Sequence, residues 1–198
     1  RGDFLNMTAV VCGNRFGRGL TVPGGVSFDL EPQRVQDLKA RLDSTRQHFL
    51  SATDLIWKTP SVLARFEGTG TIPEETSTRI GMVGPAARAC GSNRDVRQDH
   101  AFGFYRAAHI PVVTSESGDV YARAYVRWRE VQESTNFLSE HLASLPQGTI
   151  LSRPLTTLPS RKIVVSLTEG WRGEVCHTAI TDSAGKFCAY KIVDPSFH

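Results

Sequence analysis

The sequence predicts an α+β fold with a helical core built on two long helices and a small antiparallel sheet at the C-terminal end. Apolar residues recur every three or four positions over two long segments, which is typical of amphipathic helices. The C-terminal part instead alternates apolar and polar residues between glycine-containing turns, which is typical of antiparallel strands. We therefore expect a single domain over 1–198, with 1–31 irregular or extended, 32–145 helical and 146–198 forming the sheet.

The composition is that of a globular protein and argues against two classes of function. The 198 residues are 40% hydrophobic and 22% charged. The net charge is only +3, and the arginines are dispersed, so the chain lacks the dense basic face of a nucleic-acid-binding protein. The longest apolar runs are a few residues, so we expect no transmembrane segment.

The first long helix is predicted over about 32–58. Pro32 suits the first turn of a helix, and Pro60 ends it. Residues 1–28 mix short apolar runs with Gly17 and Gly24-Gly25, so we expect an irregular segment there with one or two short extended pieces.

Residues 60–113 are expected to form short helices and loops. Short helices are predicted around 61–66 and 73–80, and 84–113 is expected to be mostly loop. This loop holds the densest polar group in the chain, at Arg94, Asp95, Arg97, Asp99 and His100. Two interpretations stay open, a buried ion network that relays protons or a solvated loop.

The second long helix is predicted from Asp119, a good N-cap residue, to about residue 145. Its apolar side chains step by three and four without a break, and Pro146 and Gly148 end it. We expect the two long helices to pack against each other as the core.

A strand at 162–167 leads into a turn, Glu169–Glu174, and a hairpin at 175–193 leads out of it. Gly170 and Gly173 bracket Trp171 and Arg172, so the backbone can turn sharply and hold a guanidinium at the tip of a sheet. The alternative is an ordinary surface turn with an exposed arginine. The last strand, 187–192, alternates as a half-buried strand does.

The four cysteines, at positions 12, 90, 176 and 188, form no Cys-x-x-Cys pair, so they have neither zinc nor iron–sulfur spacing. We expect free thiols, with a disulfide between Cys176 and Cys188 across the hairpin as the alternative.

Two stretches carry a family resemblance. The first runs from Gly68-Thr-Gly-Thr-Ile-Pro-Glu74 through Gly84-Pro85, Arg88-Ala-Cys-Gly91 and Asp95-Val-Arg97 to Tyr105. The second joins Arg172-Gly-Glu174, the hairpin and Asp194-Pro-Ser-Phe197. In this order and spacing they resemble the large subunit of membrane-bound nickel–iron hydrogenases of the formate-hydrogenlyase type, and the related quinone-site large subunit of respiratory complex I.

The resemblance implies roles for six residues. Arg172 would project into the active-site cavity as a catalytic residue, with Glu174 beside it. Arg88, Asp95 and Arg97 would help to form the cavity wall, and His100 and Glu174 would be candidate members of a proton relay.

The chain departs from the family pattern at the metal site. The hydrogenases bind nickel and iron through two Cys-x-x-Cys pairs, and this sequence holds neither. We therefore expect a central fragment of a longer large subunit that binds no metal or other cofactor and is inactive alone, with a nickel–iron centre in the full-length protein if flanking cysteine pairs exist. Cys90 and Trp171 stand where the family commonly has a small polar residue and proline.

The resemblance leads to three candidate functions. The first is hydrogen and proton interconversion coupled to iron–sulfur electron transfer. The second is a complex I-like NADH-quinone oxidoreductase subunit that lines a quinone cavity, and the third is a metal-free scaffold of a membrane-associated electron-transfer complex. The expected partners are an iron–sulfur small subunit and membrane subunits, not nucleic acid, and the expected location is peripheral, on the cytoplasmic side of the membrane.

Overall fold

The computed structural model describes residues 2–153 and 157–196. The chain divides into two compact units, one formed by Arg1–Leu55 and Thr135–Thr156 and the other by Ile56–Ser134 and Thr157–His198. The single domain expected over 1–198 stays a prediction. Phe197, which ends the second quoted motif, and residues 154–156 of the connection before the sheet lie outside the described residues.

The first unit begins with a helix, α1, Gly2–Cys12. The prediction of an irregular or extended segment over 1–31 is wrong for this part. Asp3 lies in the first turn, where a negative charge favours a helix, and Gly13 ends the helix with a φ of 71°. Glycines are frequent only from residue 13 onward. The prediction assumed that the irregular backbone they favour also includes the residues before them.

After α1 the chain forms a two-stranded antiparallel hairpin, β1 (Thr21–Val22) and β2 (Gly25–Val26). The hairpin was predicted as short extended pieces, and it pairs further with Leu151. The long helix α2 follows over Pro32–Trp57, starting at the predicted proline and burying Leu38, Leu42 and Thr45.

The second unit contains a series of short helices before the second long one. These are α3 (Pro60–Phe66), α4 (Glu74–Arg79), α5 (Gly84–Arg88), α6 (Val96–Asp99) and a 3₁₀ turn at Gly103–Arg106. The long helix α7 runs over Val120–Leu142 and begins directly after the predicted cap, Asp119. The predicted loop at 84–113 is therefore ordered by three short helical turns.

The buried core of the second unit centres on α7. Ala122 and Val126 are fully buried against Ala89, which follows α5, and Val113 packs on the same cluster. The end of α2 also contacts α7, because the Trp57 ring lies 5.4 Å from that of Trp128. This contact involves the last residue of α2, and the most deeply buried contacts of α7 are with the chain after α5. Packing of the two long helices against each other as the core stays a prediction.

Three antiparallel strands form the C-terminal sheet, in the order β3 (Ile163–Gly170), β4 (Gly173–Thr181) and β5 (Phe187–Val193). Gly170 pairs with Gly173, so Trp171 and Arg172 are the two residues of a tight turn. The α+β class with a small C-terminal antiparallel sheet is confirmed. The half-buried β5 is not, because every residue of this strand is exposed.

Within the described residues, no helix combines the length and the apolar character needed to cross a membrane. All four cysteines are free, with Cys12 and Cys90 buried and Cys188 exposed.

Candidate functional site

The C-terminal residue of α5, Arg88, is the centre of a buried ion network, with only 1% of its surface exposed. Its Nε donates to Glu130 over 2.9 Å, and its Nη2 donates to Glu169 over 2.9 Å. Nη1 donates to the carbonyl oxygen of Arg94 and lies 3.5 Å from a carboxylate oxygen of Asp95. We refer to Arg88, Asp95, Arg97, Glu130 and Glu169 as the Arg88 cluster.

Asp95 joins the short helix α6 to this cluster. As the N-cap of α6 it accepts a hydrogen bond from the backbone N–H of Arg97, and it also binds the guanidinium of Arg97 through both carboxylate oxygens. Burial acts to raise the pKa of Asp95, but the hydrogen bonds and charge of Arg97, with the charge of Arg88, outweigh it and lower the pKa. Asp95 is therefore held as a carboxylate.

The pKa of Glu169, near the end of β3, is shifted in the opposite direction. Its side chain is 6% exposed, and burial raises its pKa. The charge of Arg88 and the hydrogen bond from it act to lower the pKa, yet the repulsion from Asp95 adds to burial, so the net shift is upward. Glu169 is the member of the cluster whose negative charge is least well stabilised.

A second ion pair continues the network toward β4. Arg94 and Glu174 lie 2.8 Å apart, and Glu174 is the cross-strand partner of Glu169. Arg94 is half exposed, so this pair forms the solvent-facing border of the network. Two adjacent strands thus place one carboxylate each at the same end of the sheet.

The turn that carries Arg172 packs closely on the start of α5. A Cβ placed on Gly84 would collide with the Cα of Gly173, and Gly84 has a φ of 68°. Only glycine can occupy such a position without moving the backbone. The turn is therefore held against the helix that ends in Arg88, while the Trp171 and Arg172 side chains remain exposed.

Arg172 acts electrostatically on the end of β5. The pKa of Asp194 is lowered first by the hydrogen bonds from the Ser196 hydroxyl and backbone N–H, and further by the positive charge of Arg172. The guanidinium thus lies at the surface near a carboxylate, outside the Arg88 cluster.

The structure brings together three of the six predicted site residues, Arg88, Asp95 and Arg97, in one cluster. Glu174 borders that cluster through Arg94. His100 does not join it, since its side chain is exposed and its backbone N–H bonds to Val96. In the polar loop, Asp95 and Arg97 thus form a buried ion pair, whereas the side chain of His100 is exposed to solvent. The proton relay stays a prediction.

Sequence reasoning missed two members of the cluster, Glu130 and Glu169. Glu130 lies on α7 between two positions of the apolar stripe, Trp128 and Val131. Glu169 continues the alternation of Val165 and Leu167 on β3. For Glu169, a charged residue in register with apolar ones is the signal that could have indicated a buried, paired carboxylate.

A polar cavity of about 330 Å³ adjoins the cluster. Its lining includes Arg97, Tyr105, Arg106 and His109. Arg97 therefore borders a cavity on one side and binds Asp95 on the other.

The described residues do not provide a site for a nickel–iron centre. Among residues 2–153 and 157–196, no three His, Cys, Asp or Glu side chains are grouped so that they could hold a metal ion. The two buried thiols donate instead to backbone carbonyls, Cys12 to Thr8 and Cys90 to Ala86.

Comparison with known proteins identifies relatives of the chain. All 198 residues align at 29% identity with a subunit of NADH-quinone oxidoreductase from Clostridium beijerinckii, covering 54% of that protein. The chain is 28% identical to a carbon monoxide-induced hydrogenase of Rhodospirillum rubrum (89% of this chain, 49% of the relative). It is also 28% identical to formate hydrogenlyase subunit 5 of Escherichia coli (96% of this chain, 33% of the relative). The chain thus spans about half the length, or less, of these relatives.

The fold matches a solved structure of the membrane-bound sulfane sulfur reductase, an archaeal respiratory membrane complex. The TM-score is 0.86 over 98% of this chain and 54% of the other, at 22% sequence identity. The sequence profile of one family, described as the respiratory-chain NADH dehydrogenase 49 kDa subunit, matches residues 1–170. The chain belongs to this 49 kDa subunit family, whose members are related to both the quinone-reducing and the hydrogenase-type subunits that its sequence resembles.

Proposed function

We propose that this chain forms part of the large subunit of a membrane-associated respiratory oxidoreductase, and that the reaction of the whole protein is quinone reduction. The observation that carries the proposal is the match of the 49 kDa family profile to residues 1–170. The alignment of the full chain with the NADH-quinone oxidoreductase relative from Clostridium beijerinckii supports the same reaction.

Arg172 is the residue that we assign to the redox reaction. Its guanidinium is always charged and stands at the tip of a turn that Gly84 and Gly173 hold against α5. A fixed positive charge stabilises the negative charge that develops on a quinone oxygen during reduction. In this proposal the Arg88 cluster positions the turn, and Glu174 ties β4 to the loop before α6 through Arg94.

Hydrogen and proton interconversion is the second candidate reaction. It is favoured by the similarity to a carbon monoxide-induced hydrogenase and to formate hydrogenlyase subunit 5. This reaction uses a nickel–iron centre, and the ligands for it would come from outside the described residues.

The proposed partners are an iron–sulfur small subunit and membrane subunits, with the chain lying peripherally on the cytoplasmic side of the membrane. Two observations support this assignment. Relatives are named as subunits, and the similar fold occurs in a respiratory membrane complex.

The test is to isolate the native complex through an affinity tag on this polypeptide and to assay both reactions. We expect NADH-dependent quinone reduction without stoichiometric nickel. Hydrogen-dependent reduction of an artificial electron acceptor, together with one nickel per complex, would instead establish the second candidate. A complex with neither activity would contradict both and leave the scaffold role.

A further inference from the structure

Glu130 and Glu169 share the guanidinium of Arg88. A carboxylate oxygen of each lies close to its Nη2, at 2.7 Å for Glu130 and 2.9 Å for Glu169. The third carboxylate, Asp95, is paired with Arg97. Two carboxylates that approach the same cation repel each other, so one of them has reason to bind a proton.

Among the three carboxylates, Asp95 is the best stabilised as an anion. It has two hydrogen bonds from the guanidinium of Arg97, one from its backbone N–H, and the nearby charge of Arg88. A carboxylate with several donors of this kind holds its charge strongly.

Glu130 is also better placed than Glu169 to stay charged. It is 16% exposed, lies 2.7 Å from Nη2 of Arg88 and accepts the Nε hydrogen bond as well. The positive charge of Arg127, on the same helix, acts on it in addition. Glu169, in contrast, is 6% exposed, and its Oε1 accepts one hydrogen bond, from Arg88.

We propose that Glu169 is a proton-binding group that takes up one proton from solvent at pH values above the ordinary glutamate pKa, which converts its carboxylate to a carboxylic acid at Oε2 and relieves its repulsion with Glu130. This inference goes beyond the proposed function, because it holds for either candidate reaction. The upward shift of the Glu169 pKa agrees with it. Asp95 and Arg97 connect this group to the polar cavity that Arg97 lines.

The position of Glu169 gives this proton a structural consequence. Glu169 is followed by Gly170 and then by the turn residues Trp171 and Arg172. It also pairs across the sheet with Glu174, directly after the turn. Binding or release of the proton therefore changes the charge at the base of the turn that carries Arg172.

The experiment is pH-difference infrared spectroscopy on the native complex, which detects the C=O stretch of a protonated carboxylic acid. We expect a carboxylic acid band that persists above the ordinary glutamate pKa in the wild type and in the control Glu133→Gln, whose carboxylate pairs with Arg129 within α7. The band should be lost in Glu169→Gln. Wild-type and Glu169→Gln spectra that coincide over the whole pH series would overturn the proposal.

A second variant tests the same group without altering it. Glu130→Gln removes one of the two glutamates that share Arg88, so the remaining carboxylate is better stabilised. The midpoint at which the Glu169 band disappears should fall by about one pH unit. An unchanged midpoint would contradict the assignment of the proton to this cluster, even if Glu169→Gln failed to fold.

Discussion

Arg88 uses all three of its guanidinium nitrogens for partners from three parts of the chain, α7, β3 and the loop before α6. A lysine at this position would offer one ammonium group on a flexible stem and could not reach all of these acceptors in fixed directions. Arginine is therefore required here by geometry as well as by charge.

Replacement of Arg88 by lysine should lower the free energy of unfolding by about 3 kcal/mol, because buried carboxylates would lose hydrogen bonds that nothing replaces. Urea denaturation followed by circular dichroism measures the effect. The matched control is Arg129→Lys, in a partly exposed pair on α7, which should change stability by less than about 0.5 kcal/mol. Equal effects of the two changes would contradict the central position of Arg88.

Glu169 should make the protein less stable as the pH rises. Its pKa is higher in the folded chain than in the unfolded chain, so between the two values the folded state binds more protons. The free energy of unfolding therefore falls as the pH rises from the ordinary glutamate pKa through the raised one. Denaturation at a series of pH values should show this fall in the wild type and a smaller one in Glu169→Gln. Identical pH profiles would contradict the raised pKa.

At the residue scale, sequence motifs predicted Arg88, Asp95 and Arg97 but not their partners. These three residues lie within ten positions of each other, whereas Glu130 and Glu169 are distant in the chain. A motif identifies residues that are close together in the sequence. Their partners on α7 and β3 depend on how this helix and this strand pack, which a motif does not indicate.

At the scale of single elements, the β3–β4 turn depends on a contact between two glycines. Gly84→Ala should destabilise the chain by about 3 kcal/mol, since its Cβ would meet the backbone of Gly173. Gly103→Ala is the matched control, because Gly103 has a similar φ of 55° but open space around its Cα. The control should cost about 1 kcal/mol, measured by thermal unfolding. A control that is as unstable as Gly84→Ala would show that the loss of stability comes from backbone strain and not from the contact with Gly173.

The start of α7 depends on Asp119. Its carboxylate accepts hydrogen bonds from the backbone of Ala122 and Gly68 and from the Ser117 hydroxyl, and these lower its pKa against the effect of burial. This stabilisation is present above the ordinary aspartate pKa and is lost as the pH falls through the lowered one.

Asp119→Ala should therefore cost about 2 kcal/mol at neutral pH and less in acid. Urea denaturation at neutral and acidic pH measures both values. The control is Asp43→Ala, at an exposed position on α2, and it should have little effect at either pH. A cost for Asp119→Ala that does not shrink in acid would contradict the capping role.

Prediction from sequence succeeded for elements whose start is set by nearby residues. It failed for burial, which depends on the neighbouring parts of the structure. Pro32 and Asp119 mark the starts of α2 and α7 because caps and proline act within one turn of a helix. The alternation of β5 correctly indicated a strand. It could not show whether a partner covers the strand, because burial depends on the neighbouring structure and not on the pattern alone.

At the scale of the whole molecule, a chain of modest net charge that belongs to the 49 kDa subunit family carries an internally paired cluster of ionisable side chains. The chain spans 54% of the length of its Clostridium relative. The α+β class could be predicted from periodicity, whereas the family was found through the Arg88, Asp95 and Arg172 motifs.

The most direct test of the account is the redox activity of the native complex with Arg172 replaced by glutamine. The matched control is Lys186→Gln, at the exposed turn that joins β4 to β5. If Arg172 stabilises charge in the reaction, Arg172→Gln lowers kcat by about 100-fold while the complex stays assembled and the control keeps wild-type activity. Wild-type kcat in Arg172→Gln would contradict the assignment of this turn to the redox site.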